Sequence, residues 1–453
     1  MTRPPNILWI FSDQQPAYTL GCNGDPNSRT PNLDRLAGSG FNFRNAVSGY
    51  PLCCPFRGSL LTGEYPHCCV PGHEYQLPPE IPTAADYFNH AGYDTAYIGK
   101  WHLDGMKEKD IPRVGKEMIP YERRGRFGRW IGYENNNMQF DCYVHGHLDA
   151  ETPVPLTRLP GYETDGLTNL MLDFLQDPKR KEKPFFAILS VQPPHNPYLA
   201  PSKYHRRYLP QKLQLRPNVA HNPSVEATVR QDLAGMYAMI ENLDDNVGRI
   251  LDCLYENNLD QNTWVFFFSD HGDMHGSHGQ FKKTAPWQEA VNVPFIVWGG
   301  SAYRPLDHYS YADVNYLINH VDILPTSLGL AGIHVPAELP GFDYSSLFRG
   351  ERPADPPQSA YLQNVIPTMH YDSIDRPYRG VITADGWKYV CTEEGDWLLF
   401  DLNSDPYEEC NLAFNSRFQR KRKELRQMTA DWITRTGDKF HFPYQENTGF
   451  SNS

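Results

Sequence analysis

Two nearly unbroken apolar runs, Asn6-Ile7-Leu8-Trp9-Ile10-Phe11 and Thr263 to Phe268, each stop at a polar cluster. The first ends in Ser12-Asp13-Gln14-Gln15 and the second in Ser269-Asp270-His271-Gly272-Asp273. A strand buried on both faces reads as such a run, and the carboxyl ends of parallel strands are where ligands collect. Tyr93 to Ile98, Pro184 to Val191 and Val293 to Trp298 predict three further strands. Between them Val225, Val229, Leu233, Met236, Ile240, Leu243, Val247, Ile250 and Leu254 recur at three- and four-residue steps. They predict one long helix, with Ser224 placed to cap it. Strands alternating with helices imply an α/β fold: a large, mostly parallel sheet sandwiched by helices.

After about residue 355 the texture changes. Arg379 to Thr383, Trp387 to Val390 and Trp397 to Phe400 are short runs split by Gly, Asp and Glu, the pattern of an antiparallel meander. Asn415 to Thr436 predicts a closing helix, and Pro353 to Pro357 a linker. The expected organisation is a large α/β domain over residues 1–355 and a smaller C-terminal subdomain over 356–453, with an antiparallel sheet and that helix.

The chain of 453 residues carries a net charge of -12 and only short basic runs, such as Lys179-Arg180-Lys181 and Arg420-Lys421-Arg422-Lys423. Nucleic acid is therefore not the expected main partner. No apolar stretch approaches the ~18 residues of a membrane span, and no signal peptide is visible. The expected compartment is the cytoplasm. The nine cysteines include the adjacent pairs Cys53-Cys54 and Cys68-Cys69 and suit no disulfide framework, so reduced thiols are expected.

The chemistry concentrates in six short segments. Cys53-Cys54-Pro55-Phe56-Arg57-Gly58-Ser59-Leu60-Leu61-Thr62-Gly63 resembles the signature of the sulfatase family, within the alkaline phosphatase superfamily. Cys53, Pro55 and Arg57 match that signature, and Phe56 stands where the family has a small residue. The resemblance implies that Cys53 is oxidised to formylglycine by a formylglycine-generating enzyme. The hydrated aldehyde then attacks sulfur with one hydroxyl and expels sulfate by collapse from the other. Pro55 suits the first turn of a helix, which would place the nucleophile at a helix N-terminus, where free N–H groups favour an oxyanion.

The remaining segments supply what such a nucleophile needs. By resemblance, Asp13 with Gln14 and Asp270 with His271 bind one divalent metal ion. Calcium is favoured, and magnesium or manganese are alternatives for this oxygen-rich set with one imidazole. Asp273 is expected to support the ligating histidine. Ile98-Gly99-Lys100-Trp101-His102-Leu103 resembles the family's Gly-Lys-Trp-His segment. Lys100 would bind sulfate, and His102 would take a proton in the elimination, both side chains pointing to one side of an extended chain. Pro194-His195-Asn196-Pro197 and Phe281 to Glu289 resemble the segments that place His195 and Lys283 at the leaving-group oxygen. Arg57 is expected at the nucleophile or around Lys100.

The function implied is hydrolysis of a small sulfate ester, of a sugar, choline-type or aryl alcohol. Two alternatives stay open. The same site could act on phosphonate monoesters or phosphodiesters, or the chain could be a non-catalytic binding protein with Cys53 left as a thiol. The region from Asp104 to Thr168 and the vicinity of His370, Tyr378 and Arg379 are candidates for the substrate pocket.

Overall fold

The computed structural model describes residues 3–300, 313–368 and 373–442. A ten-stranded sheet runs through the larger part. In order across it the strands are Asp313–Asn319, Phe41–Val47, Phe295–Gly299, Thr263–Ser269, Asn6–Ser12, Phe185–Ser190, Asp94–Lys100, Arg129–Tyr133, Tyr143–His147 and Pro153–Arg158. The five from Thr263–Ser269 to Arg129–Tyr133 pair in parallel. Antiparallel pairing flanks them on both sides.

The apolar runs behave as a strand buried on both faces must. Ile7, Trp9 and Phe11 enter one core cluster with Phe186 and Phe268, while Leu8 and Ile10 enter the opposite one with Leu189 and Phe267. Each such burial stabilises the fold by about 1.5–3 kcal/mol. The long helix is present as Pro223–Glu256, and Val247, Ile250 and Leu254 pack it onto the sheet. Its cap is Asn222, whose side chain accepts from the Ser224 and Val225 amides, and Ser224 lies inside the helix. Pro223 accounts for the shift: it occupies the first helical position, where its fixed φ and missing N–H cost nothing.

A separate four-stranded antiparallel sheet orders Ser359–Asn364, Tyr378–Thr383, Trp387–Thr392 and Gly395–Asp401, backed by the helix Gln419–Thr436. The meander has one strand more than its pattern predicted, Ser359–Asn364. All nine cysteines are free thiols. Among the described residues, no helix is long and apolar enough to cross a membrane.

Candidate active site

Cys53 opens the helix Cys53–Thr62, every residue of which is buried. The sulfur lies 3.1 Å from His271 Nε2, 3.2 Å from Lys283 Nζ and 3.5 Å from Asp13 Oδ1. The strands Asn6–Ser12 and Thr263–Ser269 pair in register up to Ser12 and Ser269, so Asp13 and Asp270 leave the sheet side by side. Residues about 250 positions apart in sequence thus converge on one sulfur.

Asp13, Asp270 and His271 present ligand atoms within 4.8 Å of one another and of the Cys53 sulfur. His271 Nδ1 is 2.9 Å from the Gly272 carbonyl; donating its proton there leaves Nε2 bare toward the carboxylates. Gln14, held at φ +68°, donates its amide to Asp273 Oδ2 at 2.6 Å, and its Oε1 is buried without a hydrogen-bond partner. An orphaned buried acceptor beside two carboxylates and a bare imidazole nitrogen is a donor set that fits a divalent cation. Asp273 therefore supports Gln14, and the histidine it was expected to orient is oriented by a backbone carbonyl.

The cationic side chains sort by what they touch. Lys100 Nζ reaches Asp13 Oδ2 at 2.8 Å. Arg57 spends its fork on Asp13 Oδ2 at 3.0 Å, Ser190 Oγ at 2.7 Å and the Lys100 carbonyl at 2.9 Å, so it braces the carboxylates and the Lys100 backbone rather than the cysteine. Burial opposes ionisation of Asp13, yet the Lys100 and Arg57 charges hold it well below the usual carboxylate range. Asp270 is raised by burial and by the neighbouring Asp13 charge. A cation between them would let both ionise.

Lys283 Nζ also lies 2.8 Å from His195 Nε2, while His195 Nδ1 faces the Asn196 carbonyl at 2.7 Å. Burial and the Lys283 charge push His195 well below its ordinary value, so it is a neutral acceptor and Lys283 carries the proton. Despite burial, Lys283 is raised by Cys53, Asp13 and Asp270.

His102 sits differently from its expectation. The strand stops at Lys100, and His102 adopts φ +55°, so the alternation of an extended chain does not reach it. The residue is 2% exposed, neither ring nitrogen has a hydrogen-bond partner, and Nε2 lies 3.6 Å from Glu108 Oε1. Burial and Lys100 keep it neutral.

Phe56, the departure in the cysteine motif, is 1% exposed and packs against Phe268 and His320. It fills core space behind the site. Tyr378 and Arg379, named as pocket candidates, are also buried; Arg379 is bound to Asp438. They do not line an opening, and His370 lies outside the described residues. Two buried carboxylates escaped the sequence reading. Glu134 accepts from the Leu103 and Asp104 amides and anchors the loop after His102, and Glu163 accepts from Tyr133, Asn136 and the Gln192 amide. Neither belongs to a motif that could have flagged it.

A cysteine at a helix start, facing lysines and carboxylates at the carboxyl ends of a parallel-centred sheet, is the architecture of an alkaline phosphatase superfamily hydrolase. The sulfatase family model matches residues 5–333, and a model of the C-terminal part of N-sulphoglucosamine sulphohydrolase matches 276–434. The chain belongs to the sulfatase family and is an enzyme that hydrolyses sulfate esters. It is 36% identical over 96% of its length to the ulvan-active sulfatase of Formosa agariphila, covering 82% of that protein. It is 30% identical to the endo-4-O-sulfatase of Bacteroides thetaiotaomicron, over 91% of this chain and 88% of that one. A crystal structure from Bacteroides fragilis, classed as a sulfatase, superposes with a TM-score of 0.85 at 27% identity, covering 97% of this chain and 98% of that one.

Proposed function

We propose that this sulfatase removes sulfate from a sulfated carbohydrate, with formylglycine made from Cys53 as nucleophile and one calcium ion held by Asp13, Gln14, Asp270 and His271. The observation that carries the reading is the enclosed cationic setting of Cys53, with Lys283 Nζ 3.2 Å from the sulfur and Lys100 fixed on Asp13. Such a setting suits an anion whose charge grows during transfer. The ion, when bound, polarises the sulfate oxygens and the nucleophile's oxygen. The hydrated aldehyde supplies one hydroxyl for attack on sulfur and a second for release.

As the bond from sulfur to the ester oxygen breaks, Lys283 gives that oxygen its proton, and His195 Nε2 keeps the ammonium aimed. His102, neutral and unpartnered, takes the proton of the second hydroxyl as sulfate departs and the aldehyde re-forms. Cys53 is only 1% exposed, so the maturing enzyme acts on the chain before it folds. We take residues 1–355 as the catalytic domain. We take 356–453 as the C-terminal subdomain, tied to the Lys283 loop where the Ser373 hydroxyl donates to the Lys283 carbonyl and Thr284 Oγ1 donates to the Ile374 carbonyl at 2.6 Å.

The carbohydrate assignment draws on the names of two relatives, one active on ulvan and one an endo-4-O-sulfatase. Comparing kcat/KM of the matured enzyme for aryl sulfate and aryl phosphonate esters tests the sulfate reading. A higher value for sulfate is expected, and a higher value for phosphonate rejects it.

A further inference from the structure

The sulfuryl site is closed on the protein side, since Cys53 is 1% and Lys100 0% exposed. The alcohol half of the ester must therefore extend outward, past side chains that are polar and partly open. One such group reaches the residue that follows the nucleophile in its helix. His73 Nδ1 lies 3.8 Å from the sulfur of Cys54, the residue next to Cys53, and the His73 ring meets the His102 ring edge-on at 5.4 Å between centroids. Beyond it, Glu74 Oε1 is 3.6 Å from His73 Nε2, and Glu108 Oε1 is 3.6 Å from His102 Nε2.

All three side chains are more open than His102. The His102 side chain is 3% exposed, against 20% for His73, 16% for Glu74 and 30% for Glu108. His102 Nε2, almost fully buried and without a hydrogen-bond partner, faces the group across 3.6 Å to Glu108 Oε1. The carboxylates are also held in place: Glu74 Oε1 accepts the Glu108 amide at 2.7 Å, and Glu108 Oε1 accepts from Asn135. Each keeps its other oxygen out of these bonds.

From this arrangement we infer that His73, Glu74 and Glu108 form the subsite that holds the alcohol half of the ester, and that they select a sugar through its hydroxyl groups. Carboxylate oxygens accept hydrogen bonds, so the ligand must bring donors. A sugar ring does so on adjacent carbons, at a spacing that two fixed carboxylates and an imidazole can meet together. An aryl ring brings none. A site built around such donors strongly discriminates against ligands that lack them.

The inference rests on the sulfatase reading of Cys53, and the test separates the two. The matured parent, Glu108→Gln and His73→Gln are assayed with a panel of monosaccharide sulfates, choline sulfate and 4-nitrophenyl sulfate, with melting temperatures compared throughout. In Glu108→Gln, kcat/KM for the best sugar sulfate falls at least about tenfold more than for 4-nitrophenyl sulfate, the loss residing in KM. His73→Gln lowers the same ratio. An unchanged ratio in both variants overturns the subsite, as does a parent that prefers choline or aryl sulfate to every sugar sulfate. A parent bearing the aldehyde yet inert on all sulfate esters overturns the reading of Cys53 and the subsite with it.

Discussion

Gln14 donates its side-chain amide to Asp273 Oδ2 at 2.6 Å, a carboxylate whose other oxygen accepts the His275 and Lys282 amides at 2.9 Å each. One residue thus fixes a proposed metal ligand and the start of the loop carrying Lys283. Tyr198 adds a fourth donor at 2.6 Å. An asparagine offers one acceptor oxygen where these four donors use two. Asp273→Asn is therefore expected to weaken calcium binding about 10–100-fold, measured by titration calorimetry on the folded protein. Unchanged affinity would remove Gln14 from the ligand set.

In the proposed mechanism Lys283 protonates the departing oxygen. Lys283→Ala should lower kcat by about 10²–10⁴-fold. The loss should be greatest for sugar sulfates, whose alkoxides leave poorly, and smaller for 4-nitrophenyl sulfate, whose phenolate needs little help. Equal losses on both would assign Lys283 to sulfate binding instead.

Phe56 is a structural residue inside a catalytic motif. Its ring lies 5.3 Å from that of His320 and 6.4 Å from that of Phe268. Phe56→Ala should cost about 3–5 kcal/mol in a urea titration. A cost near zero would show that the space collapses without it.

The strands bearing Asp13, Lys100 and Asp270 were legible because a strand buried on both faces must be apolar throughout and must end where the ligands begin. Cys53, Arg57, His195 and Lys283 were legible through the resemblance of short segments to the sulfatase family, and the structure brings all four to one place. The strand Ser359–Asn364 was not: Ser-Ala-Tyr-Leu-Gln-Asn is buried at every position, so it shows no polar alternation, and its polar members are satisfied by distant partners such as His67 and Tyr50. The direction of His102 was hidden too, because a left-handed residue reverses the chain without any glycine to announce it. Glu134 could not be found for a similar reason: a lone glutamate looks like a surface charge until the fold wraps backbone amides around it.

Glu134 carries a pH signature. Burial pushes its carboxyl up to about 8, and burial likewise lifts Glu163 and Asp322 to about 7. In the unfolded chain such groups ionise at about pH 4. Between that value and their folded values the native state holds more protons than the unfolded one, so stability falls as pH rises. Buried His145 and His320, lowered to about 4 and about 3, act in the opposite sense below about pH 6.5, where the unfolded imidazoles gain protons. The melting temperature should therefore decline from about pH 6.5 to about pH 8, and Glu134→Gln, which mimics the protonated acid, should flatten the decline. An identical slope in the variant would show that Glu134 is already ionised in the fold.

The central claim is that Cys53 becomes the nucleophile as an aldehyde. Peptide mass spectrometry of Cys53, on preparations coexpressed with increasing amounts of a formylglycine-generating enzyme and assayed for sulfate release, tests it most directly. Turnover should rise in proportion to the fraction of Cys53 present as formylglycine and vanish where the peptide is wholly thiol. Full turnover from a preparation whose Cys53 is entirely unmodified would contradict the account.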